Sequence, residues 1–202
     1  TVTLKNLDGT NFKVVPYVEG DPLGTTLAVP TRTGYTFNGW YADSNGNGAK
    51  DSGEEVTDGT GTVVSNLQNF PITQDWSLKS DWTANKYTII WVDGNGDTLK
   101  TDSVDYDSTP VYDGATPTKK ADATGHYTHT GWTPAVSLVS GNETYTATFN
   151  TVAHTPATRE ENRTEPNCGV AGSYELVTYC SECNYEISRE NKTISATGNH
   201  SY

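Results

Sequence analysis

Two stretches of the chain run through the same features in the same order: an alternating aromatic run, a Gly-Trp pair and a later closing run. In the first, Gly34-Tyr35-Thr36-Phe37-Asn38-Gly39-Trp40-Tyr41 is followed by Asp75-Trp76-Ser77-Leu78-Lys79-Ser80-Asp81-Trp82. In the second, Tyr127-Thr128-His129-Thr130-Gly131-Trp132 is followed by Thr144-Tyr145-Thr146-Ala147-Thr148-Phe149. Large side chains at every second position share one face of a strand. That makes Tyr35, Phe37, Trp76 and Leu78 candidate core residues. A plan that recurs along the chain marks an array of modules.

Only 33% of the 202 residues are hydrophobic, too few to fill one large core, so several small cores are expected. Thr, Gly, Asp, Asn and Tyr are abundant and Met is absent, a balance that suits strands and turns and predicts little helix. The expected modules are residues 1–84, 85–151 and 152–202, with Thr151 to Pro156 as a linker. The last module is too short to bury much core, and small domains of that kind need a metal or a disulfide staple.

A net charge of −12 argues against nucleic acid and anionic membranes as partners, because both demand clustered Lys and Arg. No stretch approaches the roughly 18 apolar residues of a membrane span, so no membrane insertion is expected of this segment. The chain opens on a strand-like run without a basic and apolar leader, as an ectodomain fragment would.

The run Pro30-Thr31-Arg32-Thr33-Gly34-Tyr35-Thr36-Phe37-Asn38-Gly39-Trp40-Tyr41, with the closing Leu78 to Thr83, resembles the Listeria-Bacteroides repeat, the internalin-type B repeat of bacterial surface proteins. The resemblance implies a small β-grasp-like sheet, set in tandem on a cell-wall-attached or secreted protein. Trp91-Val92-Asp93, Tyr112-Asp113-Gly114-Ala115-Thr116-Pro117-Thr118-Lys119 and Gly131-Trp132-Thr133-Pro134 resemble a related repeat found beside such domains. His154-Thr155-Pro156, Cys168, Ala171-Gly172-Ser173-Tyr174, Tyr179-Cys180-Ser181-Glu182-Cys183 and Gly198-Asn199-His200 are similar to short Cys-containing repeats in surface proteins of gut-type Gram-positive bacteria. The fold class expected is therefore mainly β: tandem small β-grasp-like or antiparallel modules plus a small C-terminal β module stapled by a metal or a disulfide. None of the resemblances brings a catalytic residue.

An acidic insertion after Tyr41 departs from the repeat. Asp43 to Glu54 fits the spacing D-x-[DN]-x-[DN]-G-x5-E of a calcium loop. A hard cation takes oxygens from Asp43, Asn45, Asn47, the Ala49 carbonyl, Asp51 through water and bidentate Glu54, with Gly48 permitting the turn. The strand-like Gly-Trp-Tyr before it and Lys50 within it argue against a helix-loop-helix hand, so calcium is expected to stiffen a loop on a β framework. A solvated acidic loop without metal is the plain alternative. Asp93-Gly94-Asn95-Gly96-Asp97 lacks the remaining ligands and reads as a hairpin turn.

Cys168, the pair Cys180 and Cys183, and His200 supply three thiolates and an imidazole, the donor set of a closed tetrahedral zinc site. His154 is the alternative fourth ligand. A Cys180–Cys183 disulfide, or Cys168 paired with one of them, is the competing expectation in an extracellular compartment, though an odd cysteine count fits it poorly. A redox Cys-x-x-Cys would need a βαβ setting that is not foreseen here.

No nucleophile elbow or His-Glu-x-x-His helix is present, and no enzyme is expected. His126 and His129 are expected to be one solvent-facing and one partly packed histidine. The N-x-[ST] tripeptides at Asn142, Asn162 and Asn191 are incidental in a bacterial protein. The function expected is that of an extracellular structural stalk or adhesin repeat, with neighbouring modules of the same protein, and a host glycan or protein, as partners. A carbohydrate-binding or enzyme-accessory module using exposed aromatic rings is the alternative, and an open zinc site or reactive thiol would point instead to an enzyme.

Overall fold

The computed structural model describes residues 1–198 and contains eleven strands and no helix among them. The strands are β1 (Val2–Lys5), β2 (Asn11–Val15), β3 (Tyr35–Tyr41), β4 (Trp76–Ala84), β5 (Lys86–Val92), β6 (Thr98–Asp105), β7 (His126–Thr133), β8 (Glu143–Val152), β9 (Pro156–Thr164), β10 (Gly172–Cys180) and β11 (Glu186–Ile194). They form three sheets that follow one another along the chain, in the orders β2-β1-β4-β3, β6-β5-β8-β7 and β11-β10-β9.

The first two sheets share one plan. Each has a parallel pair at its centre, β1 with β4 and β5 with β8, and an antiparallel outer pair, β3 with β4 and β7 with β8. The repeated Gly-Trp pair has a structural cause. Gly39 and Gly131 each follow a shift in register against the neighbouring strand, and both take positive φ, 140° and 153°. Such a bulge re-aims the next side chain. In the first sheet that side chain is Trp40, which is fully buried, with its Nε1 donating to the Ala28 carbonyl at 2.8 Å.

By contacts the chain forms two compact units. One comprises Thr1–Thr88 with Ser103–Thr109 and Leu138–Asn142; the other comprises Ile89–Asp102, Pro110–Ser137 and the described residues from Glu143 onward. Within the first, Val2 and Leu4 of β1, Phe37 and Trp40 of β3 and Leu78 of β4 pack with Leu23, Leu27, Val56, Val63 and Ile72 into one core. Phe37 and Leu78 are thus buried as expected, while Trp76 flanks the core half-buried and Tyr35 packs edge-on against Tyr106. Asn85, the single residue between β4 and β5, accepts from Thr36 Oγ1 at 2.7 Å and from the Tyr106 amide at 2.8 Å.

In the second unit Trp91 is 1% exposed and lies among Trp132, Tyr145 and Tyr112, with ring centroids 4.7, 4.9 and 5.5 Å away. Its indole Nε1 donates to Asp102 Oδ2 at 3.0 Å. Asp93 to Asp97 forms the expected turn between β5 and β6, with the Asp93 carboxylate accepting from the amides of Asn95 and Asp97.

The third sheet is of a different kind. Along β9, β10 and β11 only Gly172, Val177 and Cys180 are buried, so most of both faces meets solvent. Charge and aromatic contacts replace a core. Arg189 pairs with Glu161, Glu175 and Glu186, Arg163 pairs with Glu160 and Glu165, and Arg159 lies over the Tyr179 ring. Exposed ion pairs stabilise little. A sheet that buries so little apolar surface requires another fastening.

Candidate metal centre

The turn from β10 into β11 supplies two sulfurs. Cys180 ends β10 and is fully buried, Cys183 sits in the turn half-buried, and Asn184 closes it with φ of 60°. The Asn184 amide donates to the Cys180 carbonyl, and the Cys180 amide donates to the Tyr185 carbonyl, both at 2.8 Å. Burial pushes the Cys180 thiol up, but the backbone amides of Cys183 and Glu182, the His154 ring and the Thr155 backbone outweigh it and bring it down to about 6. Burial holds the Cys183 thiol above its ordinary value, with the neighbouring Cys180 adding to the rise.

Two imidazoles complete the group. His126 opens β7 and His154 lies between β8 and β9; with Cys180 and Cys183 their ligand atoms all fall within 4.8 Å of one another. Each ring is tied down on its far side. His154 Nε2 lies 2.8 Å from the Asp122 carbonyl, which places a proton on Nε2 and turns Nδ1 towards the sulfurs, 3.6 Å from Cys183 Sγ. His126 Nε2 lies 3.1 Å from the Glu182 carboxylate while its Nδ1 is 3.9 Å from Cys180 Sγ. Tyr185 stacks flat on His154, 4.8 Å between centroids. A carboxylate or carbonyl holding the remote nitrogen is the arrangement that orients metal-bound histidine.

The donor set fits zinc. Two thiolates and two imidazoles at Zn–S of about 2.3 Å and Zn–N of about 2.0–2.1 Å stand roughly 3.3–3.8 Å apart in a tetrahedron. The observed group is a slightly open form of that figure. With these four protein ligands, a bound zinc would be coordinatively closed, and its contribution would be to brace the fold.

The structure therefore unites Cys180, Cys183 and the alternative ligand His154, and adds His126. Cys168 stands elsewhere. It lies in the β9–β10 loop, at the opposite end of β10, and nine residues at about 3.3 Å each separate the two ends by on the order of 30 Å. That distance also rules out a disulfide between Cys168 and either partner within this fold, and Cys180 and Cys183 are not bridged to each other. His200 lies outside the described residues. His126 was not foreseen as a ligand, because a lone histidine at the start of a strand in another repeat carries no spacing signal. Neither it nor His129 faces solvent: His129 packs against Trp132 and Phe149.

The Asp43–Glu54 loop closes on itself. Glu54 accepts from the Ser44 and Asp51 amides, Asp43 Oδ2 from the Gly48 amide and Lys79, and Asn47 Oδ1 from the Ala49 amide. The side-chain amides of Asn45 and Asn47 both donate to Asp51 Oδ2, at 2.7 and 2.8 Å. Among the described residues Asp43, Asp51 and Glu54 do not converge as a ligand group. Asp43 Oδ1 is buried with no hydrogen-bond partner.

Among the described residues the chain is all β, in tandem sheets of which two are built on one plan, with a His2Cys2 cluster towards the C-terminal end that could hold a metal. Residues 1–65 match the family model of the Listeria-Bacteroides repeat domain, and that match points to a repeat module of a bacterial surface protein. No curated protein matches the chain. Among the described residues no helix is long and apolar enough to cross a membrane.

Proposed function

We propose that the chain is a non-catalytic, extracellular segment of a bacterial surface protein, a stalk or adhesin repeat in which zinc fastens a sheet too thin to be held by burial. The closed four-ligand cluster at the end of the third sheet carries this reading, since such a cluster favours bracing over chemistry. Neighbouring modules of the same protein are the partners it implies. The alternative of a sugar-binding platform built on exposed aromatic rings has less support, because Trp40 and Trp91 are buried and Trp76, Trp82 and Trp132 are partly buried, leaving Phe12 and Phe70 as exposed rings among the described residues. The test is metal content by elemental mass spectrometry on chain purified without chelator. About one zinc per chain is expected, and its absence at full folding would remove the reading.

The calcium reading of the Asp43–Glu54 loop stands on separate support. Its spacing fits, the Asp43 carboxylate is 4% exposed with Oδ1 unpartnered, and rotation of the Asn45 and Asn47 amides would turn both oxygens to the point where their nitrogens now meet Asp51. Calorimetric titration is expected to give a dissociation constant of roughly 10⁻⁴ to 10⁻³ M, lost in Glu54→Ala. Equal heats in wild type and variant would reject it.

A further inference from the structure

We infer that the metal is a clamp between two successive sheets and not a staple inside the third: His126 of β7 is its fourth ligand, so binding fixes the joint at Ala153–Thr155. This rests on the zinc reading above and goes beyond it. The ligands are divided along the chain, one from the second sheet, one from the joint and two from the turn of the third sheet. Only three residues separate the end of β8 at Val152 from the start of β9 at Pro156, and His154 is the middle one.

Polar contacts cross at the same place. The Ser181 amide donates to the Thr155 carbonyl at 2.9 Å, and Thr155 Oγ1 donates to Glu182 at 2.9 Å. Glu182 in turn holds His126, and Asp122, just before β7, holds His154 through its carbonyl. Each histidine is therefore oriented by a residue from the other sheet or from the segment before β7, an arrangement that forms only when the two sheets are docked. Charge favours the same state. Two thiolates neutralise the dication, and a metal placed there replaces the weak S–H donor of Cys183 with a bond.

A staple and a clamp differ in what His126 does. A staple within the third module would use only residues beyond Thr151, and His126→Ala would leave affinity and geometry as they were. A clamp loses its fourth corner, and loss of a ligand weakens binding by more than the roughly 10–100-fold that follows loss of an outer partner.

Cobalt(II) reports both coordination and thiolate number through its visible and charge-transfer bands. The full chain is titrated as wild type, His126→Ala and His126→Cys, with hydrogen exchange of the segment 150–156 followed in the zinc-loaded forms. The clamp predicts a tetrahedral two-thiolate spectrum in wild type and at least tenfold weaker binding in H126A. In H126C the tetrahedral spectrum returns with a third thiolate, which also shows that the variant folds. Zinc slows exchange at the joint in wild type and not in H126A. A wild-type spectrum unchanged by H126A, with joint exchange indifferent to zinc, overturns the clamp and leaves zinc as a staple. No cobalt or zinc binding to folded wild type overturns the clamp and the zinc reading together.

Discussion

At the scale of single residues, the glycines of the Gly-Trp pairs show how a repeated dipeptide encodes a backbone event. A Cβ on Gly39 would stand 2.1 Å from the Thr57 carbonyl oxygen, whereas one on Gly131 would meet nothing nearer than Thr148 Oγ1 at 3.7 Å. Both positions have positive φ, which alone costs a side chain about 1–3 kcal/mol. Gly39→Ala is therefore predicted to lower stability more than Gly131→Ala, measured by urea unfolding, and equal losses would refute the assigned role of the Thr57 carbonyl. The alternation that marked Phe37 and Leu78 as core was legible because a strand repeats every second residue. The bulge was not, since its cause is the neighbouring backbone. Tyr35 shows the same limit: its ring is set by Arg32 and Tyr106, which no local pattern announces.

At the scale of elements, the third sheet carries ion pairs where the first has a core, and each pair adds only a little. Arg159 and Arg189 keep the Glu161 carboxyl below its ordinary value of 4.5, Arg189 does the same to Glu186, and Lys192 to Glu190. A depressed carboxyl contributes stability that is present above its unfolded value and lost as pH falls through the folded one. Hydrogen exchange in β9 to β11 is predicted to speed up as pH drops below about 4.5, after correction for the intrinsic pH dependence, and more than in β1 and β4, where Asp43 and Asp75 are also lowered but a buried core remains. High salt at neutral pH should act in the same direction, because exposed pairs are screened. Equal sensitivity of the first and third sheets would contradict the assignment. The tandem β character and the hairpin at Asp93–Asp97 were legible in composition and turn chemistry. Which cysteines meet was not, because Cys-x-x-Cys spacing fixes only the turn, and the length of β10 decides that Cys168 stands at the other end.

At the scale of the whole molecule, the sheets differ in what can fasten them: a buried core in the first, and beside the third a His2Cys2 cluster that could hold a metal. Chelation is predicted to raise exchange at the joint and in the third sheet while leaving the Trp91 cluster in place, read as unchanged near-ultraviolet circular dichroism from its packed rings. Global unfolding on chelation would show instead that the metal supports every sheet alike. Zinc X-ray absorption on the zinc-loaded chain tests the His2Cys2 clamp directly. Two sulfurs at about 2.3 Å and two nitrogens at about 2.0–2.1 Å are expected, with no oxygen bound to the metal. Three or more sulfurs, or a bound water, would contradict the clamp.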